Sequence, residues 1–125
     1  MPDRLESGVG WLHKVRANAM GREVTYRRGE LETTLTATRG ASVFRLAAEY
    51  GVSIRVEMDD YIVTAADLVF GSTPVEPQAG DVIVDELGGV ETQFEVRGPG
   101  GGEPAWQWDP FHVSYRIHTK ALTTP

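Results

Sequence analysis

From residue 22 onward the apolar side chains recur at every second position, and this period constrains the fold more than any other feature of the sequence. The runs are Val24 and Tyr26; Leu31, Thr33, Leu35 and Ala37; Val52, Ile54, Val56 and Met58; Tyr61 and Val63; Val82 and Val84; Val90, Thr92, Phe94 and Val96; and Phe111, Val113, Tyr115 and Ile117. Side chains alternate between the two faces of a strand, so each run predicts a short strand with one buried face. Turns are predicted at Gly29 and at the Gly88–Gly89 pair. The pattern predicts a mainly β fold, a small antiparallel β-barrel or sandwich.

Two interruptions are predicted within this pattern. The adjacent acids Asp59 and Asp60 indicate a turn or bulge between two runs. In "TAADLVF", Thr64 can cap a helix with Asp67 three residues later, so about one helical turn is expected there. The following segment "GSTPVEPQAGD" contains two prolines and is predicted to be a loop.

The first 21 residues have a helical rather than an alternating period. One apolar stripe is formed by Leu5, Val9, Leu12, Val15 and Ala19. Asp3 is a suitable N-cap with Glu6 three residues later, and Gly21 can end the helix. We therefore predict one domain over residues 1–125, with an N-terminal α-helix over 1–21, a β-barrel over 22–120 and a glycine-rich loop over 98–105.

Composition and charge exclude several classes of protein. The chain has 125 residues and no cysteine, so disulfide frameworks and thiolate catalysis are excluded. No apolar run approaches the roughly 18 residues that a membrane span requires. Residues 1–40 hold seven Lys/Arg and five Asp/Glu, a balance of +2, and residues 41–125 hold five and thirteen, a balance of −8. The acidic body disfavours duplex binding, and the basic N-terminal part either meets an acidic protein surface, such as another copy, or belongs to an ordinary mixed surface.

A search for catalytic, metal and cofactor motifs yields no site. His112 and His118 are expected on one face of the last strand about 20 Å apart, too far for one metal ion, and are predicted to be surface or rim residues. The run "GPGGGE" precedes a proline and tryptophans rather than a helix, which is unlike a phosphate loop. Turn chemistry and capping account for Asp59, Asp60 and Asp67. The sequence predicts no enzyme, no cofactor and no metal.

Two tryptophans follow the glycine-rich loop and have two possible roles. In the first, Trp106 or Trp108 folds over the edge of the sheet and belongs to the protein's own core. In the second, the loop and its aromatic end wait for a partner, since tryptophan is common at interface hot spots. Trp106 is the better candidate for a partner contact, and Trp108 is assigned mainly to the rim of the core.

The order of these segments resembles that of the small head–tail joining proteins, also called head-completion or stopper proteins, of long-tailed bacteriophages and prophages. The resemblance rests on the N-terminal helix leading into "VTYRRGE", on "DYIVTAADLVF", on "PQAGDVIVDE" and above all on "PAWQWDPFHVSYRIHTK". It covers most of the chain and is weakest between Gly40 and Ser53. None of the segments is a catalytic signature.

The resemblance implies a structural role in the virion neck, with the host cytoplasm as the location before assembly. Such proteins are small β-barrels that form a ring, here expected to be six- or twelve-fold, beneath the portal and its adaptor and above a tail terminator or tail protein. A loop pointing into the ring helps retain packaged DNA without sequence specificity, and no membrane is involved. The expected interface residues are Trp106, Trp108, Gly100, Gly101, Gly102, Arg27 and Arg28. Two alternatives stay open: a tail-terminator or tail-tube-like barrel, and a small binding module or hydrolase that uses the acidic loop residues.

Overall fold

A computed structural model describes residues 21–122 of the chain, and the helix predicted for residues 1–21 lies outside this part except for Gly21. The described residues form nine strands and two 3₁₀ turns. The strands are β1 (Arg22–Arg28), β2 (Leu31–Ala47), β3 (Ser53–Thr64), β4 (Val69–Phe70), β5 (Thr73–Pro74), β6 (Val82–Leu87), β7 (Val90–Val96), β8 (Trp106–Trp108) and β9 (Ser114–Ala121). The 3₁₀ turns are Glu49–Gly51 and Ala65–Asp67, and the second is the predicted short helical turn.

Six of the strands close into an antiparallel barrel. Around the barrel the order is β1, β2, β3, β9, β7 and β6, and β6 pairs back to β1. Strand β8 lengthens the wall by pairing with β9 beyond the end of β7. The prediction of a mainly β fold with a small antiparallel barrel is therefore confirmed.

The alternating residues fill the barrel because opposite positions in an antiparallel pair share a face. Val24 lies opposite Leu35, and Tyr61 lies opposite Ile117, all with their side chains buried in the core. The rest of the core cluster is Tyr26, Ala37, Val63, Leu68, Phe70, Ile83, Phe94, Val96 and Tyr115. Burying a large apolar side chain contributes about 1.5–3 kcal/mol, so this cluster is the main source of stability.

Polar clusters occupy both ends of the barrel. At the end near the β1–β2 turn, the Tyr26 hydroxyl donates to Asp81, which also accepts from Arg28 Nε at 2.9 Å. At the opposite end, the Tyr61 hydroxyl donates to Asp85 at 2.7 Å, and Arg22 Nε donates to the same carboxylate at 2.8 Å. Burial is the largest cause that raises the pKa of both tyrosines, so both hydroxyls keep their protons and act as donors.

The predicted turns at Gly29 and Gly88–Gly89 are present, and all three glycines have positive φ. The turn predicted at Asp59–Asp60 is wrong. Both residues lie inside β3 and pair with β2 on one side and β9 on the other. Paired acids are a local turn signal, but hydrogen bonds from two neighbouring strands override it here.

One strand boundary and the inward face of one strand differ from the predicted pattern. The last strand begins at Ser114, and Phe111 lies before it with 59% of its surface exposed. In β6 the residue of the core cluster is Ile83, while Val82 and Val84 lie on the other face, where Val82 is half-buried and Val84 is buried. Three consecutive apolar residues at 82–84 do not specify their own register, which is set by the pairing of Ile83 with Tyr26.

Candidate functional site

Strands β2 and β3 continue beyond the barrel as a two-stranded hairpin. Strand β1 pairs with β2 as far as Ala37, and β9 pairs with β3 as far as Asp59. The β2–β3 register continues without a break until Ala47 lies opposite Ser53. Residues 42–58 therefore project from the barrel, and we call them the arm.

The arm ends in a tight and highly exposed turn. The Ala48 N–H donates to the Val52 carbonyl at 2.7 Å, which closes the hairpin around the 3₁₀ turn. Tyr50 has a φ of 62°, in the left-handed region, and 97% of its surface is exposed. A large aromatic residue held in this conformation at the end of a projection has no role in the barrel core.

The two faces of the arm differ in chemistry. Opposite residues share a face, so one face carries the apolar pairs Phe44–Val56 and Leu46–Ile54. Ile54 and the following apolar residue toward the tip, Val52, are 52% and 60% exposed. We call this the apolar face. It is a row of hydrophobic side chains on a part of the molecule that lies outside the core.

The other face of the arm carries charged side chains, together with Val43, which is 51% exposed. Arg45 lies directly opposite Arg55 in the strand pairing, and both are exposed. Arg55 Nη1 lies 2.8 Å from Glu57 Oε1, while no ion pair of Arg45 is found within residues 21–122. Like charges directly opposite each other destabilise a strand pair, so this face carries an unfavourable arrangement in the isolated chain.

The opposite side of the barrel has the complementary charge. Glu86 on β6 lies directly opposite Glu91 on β7, and both are exposed on the outer surface. Glu23 on the neighbouring strand β1 is exposed on the same surface. We call these three glutamates the acidic wall. The strand order places β6 and β7 across the barrel from the barrel parts of β2 and β3.

The glycine-rich loop has a defined path between β7 and β8. The Arg97 N–H donates to the His118 carbonyl, and the His118 N–H donates to the Ala105 carbonyl, so the loop leaves and rejoins the wall at one residue of β9. At its far end, a Cβ added to Gly100 or Gly101 would lie 3.4 or 3.3 Å from Leu46. The sequence predicts a loop without a fixed shape, whereas the structure places it against Leu46, close to the tip of the arm.

A buried polar network joins the base of the arm to β9. Asp60 is fully buried and accepts hydrogen bonds from Ser42 Oγ, from Arg116 Nε at 2.6 Å and from His118 Nδ1 at 2.8 Å. Burial by itself would raise the pKa of Asp60, but the three donors outweigh that effect and hold the pKa below its ordinary value. His118 is buried, so its assignment as a surface or rim residue is wrong.

The two histidines of the C-terminal segment lie in different environments. His112 precedes β9, and its ring stacks on Trp108 with 5.0 Å between ring centroids. The prediction that His112 and His118 share a face of the last strand is therefore wrong. Within residues 21–122 no three His, Asp or Glu side chains are grouped so that they could hold a metal ion.

Both tryptophans lie in β8 and face the same side as the core. Trp106 pairs with Ile117 and Trp108 pairs with Tyr115, and the Tyr115 ring lies within 5.0 Å of each indole between centroids. Both indoles are half-buried and pack against the core cluster. The strand pairing therefore gives each tryptophan a structural role, and part of each ring stays accessible.

The two candidate arginines of β1 have different surroundings. Arg27 lies on the outer surface in an exposed ion pair, with 3.7 Å between its Nε and Oε2 of Glu32. Arg28 belongs to the polar cluster at the barrel end, where its Nη2 contacts Asp81 at 2.8 Å and the Glu76 carbonyl at 2.7 Å. Arg27 is free to meet another protein, whereas Arg28 is used in the fold.

Sequence reasoning missed the arm and the Asp60 network as candidate sites. A signal for the arm was present, since Phe44 and Leu46 alternate before the Tyr50 turn, and Ile54 and Val56 alternate after it. No comparable signal existed for the network, because its members are 18 to 74 residues apart in the chain.

The barrel and its projecting arm suit a structural protein that contacts other proteins. The model of the phage head-tail joining protein family matches residues 3–125, nearly the whole chain. The chain belongs to this family. It is a structural protein of the phage head-tail junction, and it associates with head and tail components of the virion.

No curated protein matches the chain. Within residues 21–122 there is no helix with the length and hydropathy to cross a membrane.

Proposed function

We propose that copies of this head-tail joining protein form a ring at the neck of the virion, between the portal adaptor and the tail. In this ring the charged face of the arm, with Arg45 and Arg55, contacts the acidic wall of the next copy. The ring contains six or twelve copies and helps to retain the packaged DNA.

The single observation that carries this proposal is the pair of complementary like-charge sites. Arg45–Arg55 and Glu86–Glu91 are each directly opposite in a strand pairing and each exposed. Each is unfavourable alone, and contact between them would relieve both. Because the two sites lie on different strand pairs, β2–β3 and β6–β7, a contact between two copies leaves one site of each copy free for a further copy. Such a head-to-tail contact closes into a ring when the rotation permits.

The glycine-rich loop and the indoles are a second proposed contact, with the head, the tail or the DNA. Gly100, Gly101 and Gly102 are exposed, and Trp106, four residues after Gly102 in the chain, is half-buried. The net charge of the chain is −6, which disfavours tight binding of the phosphate backbone and suits a channel through which DNA must move. Family membership supports this role over the tail-terminator and hydrolase alternatives.

Charge reversal tests the ring contact. One variant carries Arg45→Glu with Arg55→Glu, a second carries Glu86→Arg with Glu91→Arg, and a third carries all four changes. Each protein is supplied to filled heads that lack it, and joined tails are counted by electron microscopy. We expect each two-residue variant to lower joining at least tenfold and the four-residue variant to restore most of it, because the swapped charges attract again.

The matched control is Glu30→Arg with Glu32→Arg, which reverses two exposed charges near the β1–β2 turn, outside both sites. Its joining should equal that of the unmodified protein. Undiminished joining by either two-residue variant, or failure of the four-residue variant to recover, would overturn the proposed contact. If the unmodified protein forms no ring on the heads, the ring itself is excluded.

A further inference from the structure

One edge of the arm has backbone groups that no described strand uses. The Ala48 N–H donates to the Val52 carbonyl, so the even positions of β2 in the arm exchange backbone hydrogen bonds with β3. The odd positions therefore direct their N–H and C=O groups to the other side, which β1 no longer flanks. These positions are Val43, Arg45 and Ala47. A row of free backbone groups at a sheet edge is a template for another strand.

The glycine-rich loop leaves this edge open. It lies against the side chain of Leu46, on the apolar face, and the backbone hydrogen bonds that fix its two ends go to His118 of β9. Side chains stand out of the plane of a sheet, whereas backbone hydrogen bonds lie in that plane. A further strand can therefore pair with β2 while the loop stays in place.

Strand β7 has a free edge at its start. Its pairing with β9 covers Phe94–Val96, and beyond this the Leu122 N–H donates to the Gln93 carbonyl. Backbone direction repeats every second residue, so Glu91 directs its N–H and C=O groups to the same side as Gln93. Within residues 21–122 no backbone partner of Glu91 is found on that side.

We propose that β2 of the arm pairs antiparallel with the start of β7 of a second copy of this chain, with Arg45 directly opposite Glu91. This inference rests on the ring contact proposed above and specifies that the contact contains backbone hydrogen bonds as well as charges. The Arg45 N–H donates to the Glu91 carbonyl of the second copy, and the Glu91 N–H donates to the Arg45 carbonyl. The two copies then share one sheet in the order β3, β2, β7 and β6.

On one face of the shared sheet this register brings opposite charges together. The row across the four strands consists of Arg55 and Arg45 of one copy, followed by Glu91 and Glu86 of the second copy. Each like-charge pair is unfavourable in the separate copy. In the shared sheet the inner arginine and the inner glutamate are direct cross-strand neighbours, which offsets both repulsions.

On the other face the same register aligns apolar side chains. The row consists of Ile54 and Leu46 of one copy, followed by Val90 and Leu87 of the second copy. Ile54 and Val90 are 52% and 62% exposed in the single chain, and each belongs to an uninterrupted apolar row once the strands pair. Cross-strand apolar pairs stabilise a sheet, so both faces favour the register that the free backbone groups allow.

Other registers lose these contacts. A shift by one residue would place Arg45 opposite Val90 or Thr92, whose backbone groups point to β6. A shift by two residues would place Arg45 opposite Gln93, whose carbonyl already accepts a hydrogen bond, or opposite Gly89 in the turn. The free backbone groups and the side chains thus select the same pairing.

Cysteine cross-linking tests the register, because the chain has no cysteine of its own. One full-length variant carries Leu46→Cys with Val90→Cys, which the proposal places opposite each other at a non-hydrogen-bonded position, with Cα atoms about 4.5 Å apart and within disulfide range. The matched control carries Ala47→Cys with Val90→Cys, since Ala47 neighbours Leu46 but lies on the opposite face of the arm. Both proteins are assembled on filled heads and mildly oxidised. We expect interchain disulfides in most molecules of the test variant and at least fivefold fewer in the control.

Proline substitution tests the backbone pairing without a change of charge. Ala47→Pro removes an N–H that points away from β3, and its ring obstructs a further strand at this edge. The matched control is Ser53→Pro, directly opposite on β3, whose N–H points to the other edge of the arm. We expect Ala47→Pro to lower the joining of tails to heads at least fivefold and Ser53→Pro to stay within twofold of the unmodified protein.

Several results would overturn the strand pairing. They are few interchain disulfides in the test variant, equal cross-linking in the control, undiminished joining by Ala47→Pro, and an equal loss with Ser53→Pro. If the charge-reversal variants still behave as expected, the ring contact stands as a contact between side chains alone. If the charge-reversal variants fail as well, the ring contact itself is excluded.

Discussion

The two halves of the β2–β3 hairpin have the same strand pairing and opposite roles. In the barrel half each strand has a second neighbour, and its inward residues, such as Ala37, Tyr61 and Val63, are fully buried. In the arm half the strands pair only with each other among the described strands, and hydrophobic residues such as Ile54 are half exposed. Strand pairing alone therefore does not determine whether a hydrophobic residue stabilises the fold. What decides it is whether a second packing layer or a second neighbouring strand covers that residue.

The largest effect should separate the two halves directly. Phe94→Ala opens a cavity in the core, where the ring also packs edge-on against Tyr61 at 5.4 Å between centroids. We expect a loss of about 3–5 kcal/mol in the free energy of unfolding, enough to unfold a marginal domain. Ile54→Ala in the arm should cost less than about 1 kcal/mol. Urea denaturation measures both, and equal losses would contradict the division between barrel and arm.

Trp106 tests a position at the boundary of the barrel. A side chain that only contacts a partner contributes little to folding, but the Trp106 indole packs on Tyr115 and Trp108 and is half-buried. We now expect Trp106→Ala to lower the free energy of unfolding by roughly 2 kcal/mol, about half the cost of removing a fully buried aromatic residue. Thermal unfolding beside Phe94→Ala gives the comparison. An unchanged melting temperature would show that the indole does not stabilise the fold and is available only for contact with a partner.

The junction between barrel and arm should respond to acid. The pKa of Asp60 is lower in the folded chain than in the unfolded chain. The stabilising contribution of the ionised Asp60 carboxylate is therefore complete above the pKa of the unfolded chain, about 3.9. It is lost as the pH falls through the lower pKa of the folded chain. Asp60→Asn should lower the free energy of unfolding by about 1.5 kcal/mol at pH 7. Below about pH 4, the variant should lose less further stability than the unmodified protein does.

The pKa of Asp109 is also lower in the folded chain, because backbone N–H donors outweigh the opposing effect of burial. Part of the loss of stability in acid will therefore remain in the Asp60→Asn variant. Chemical denaturation at a series of pH values measures the difference between the two proteins. An Asp60→Asn profile parallel to that of the unmodified protein would exclude a net stabilising role of the Asp60 charge.

The smallest effect on stability should come from the charged face of the arm. Arg45→Glu places an opposite charge beside Arg55 and away from the core, so the free energy of unfolding should change by less than about 0.5 kcal/mol, in the stabilising direction. Thermal unfolding at low salt measures this change, and Arg45→Gln serves as the neutral control. A loss above about 1 kcal/mol would mean that Arg45 has a structural partner in the chain.

The sequence by itself determined the elements that depend on local chemistry. Alternation placed Tyr26, Leu35, Phe94 and Ile117 in strands facing one core, and glycine marked the turn at Gly29. Both follow from the backbone, because a strand repeats every two residues and glycine accepts positive φ at little cost.

What only the tertiary structure decided involves residues that are distant in the chain. Asp59 and Asp60 have the composition of a turn, yet two neighbouring strands hold them extended. His118 is buried and hydrogen-bonded to Asp60, which lies opposite it. The arm arises because β1 stops at Arg22 and β9 stops pairing at Asp59, while β2 and β3 continue. No local pattern records where a neighbouring strand ends, so the same alternating residues become core in one half of the hairpin and exposed surface in the other.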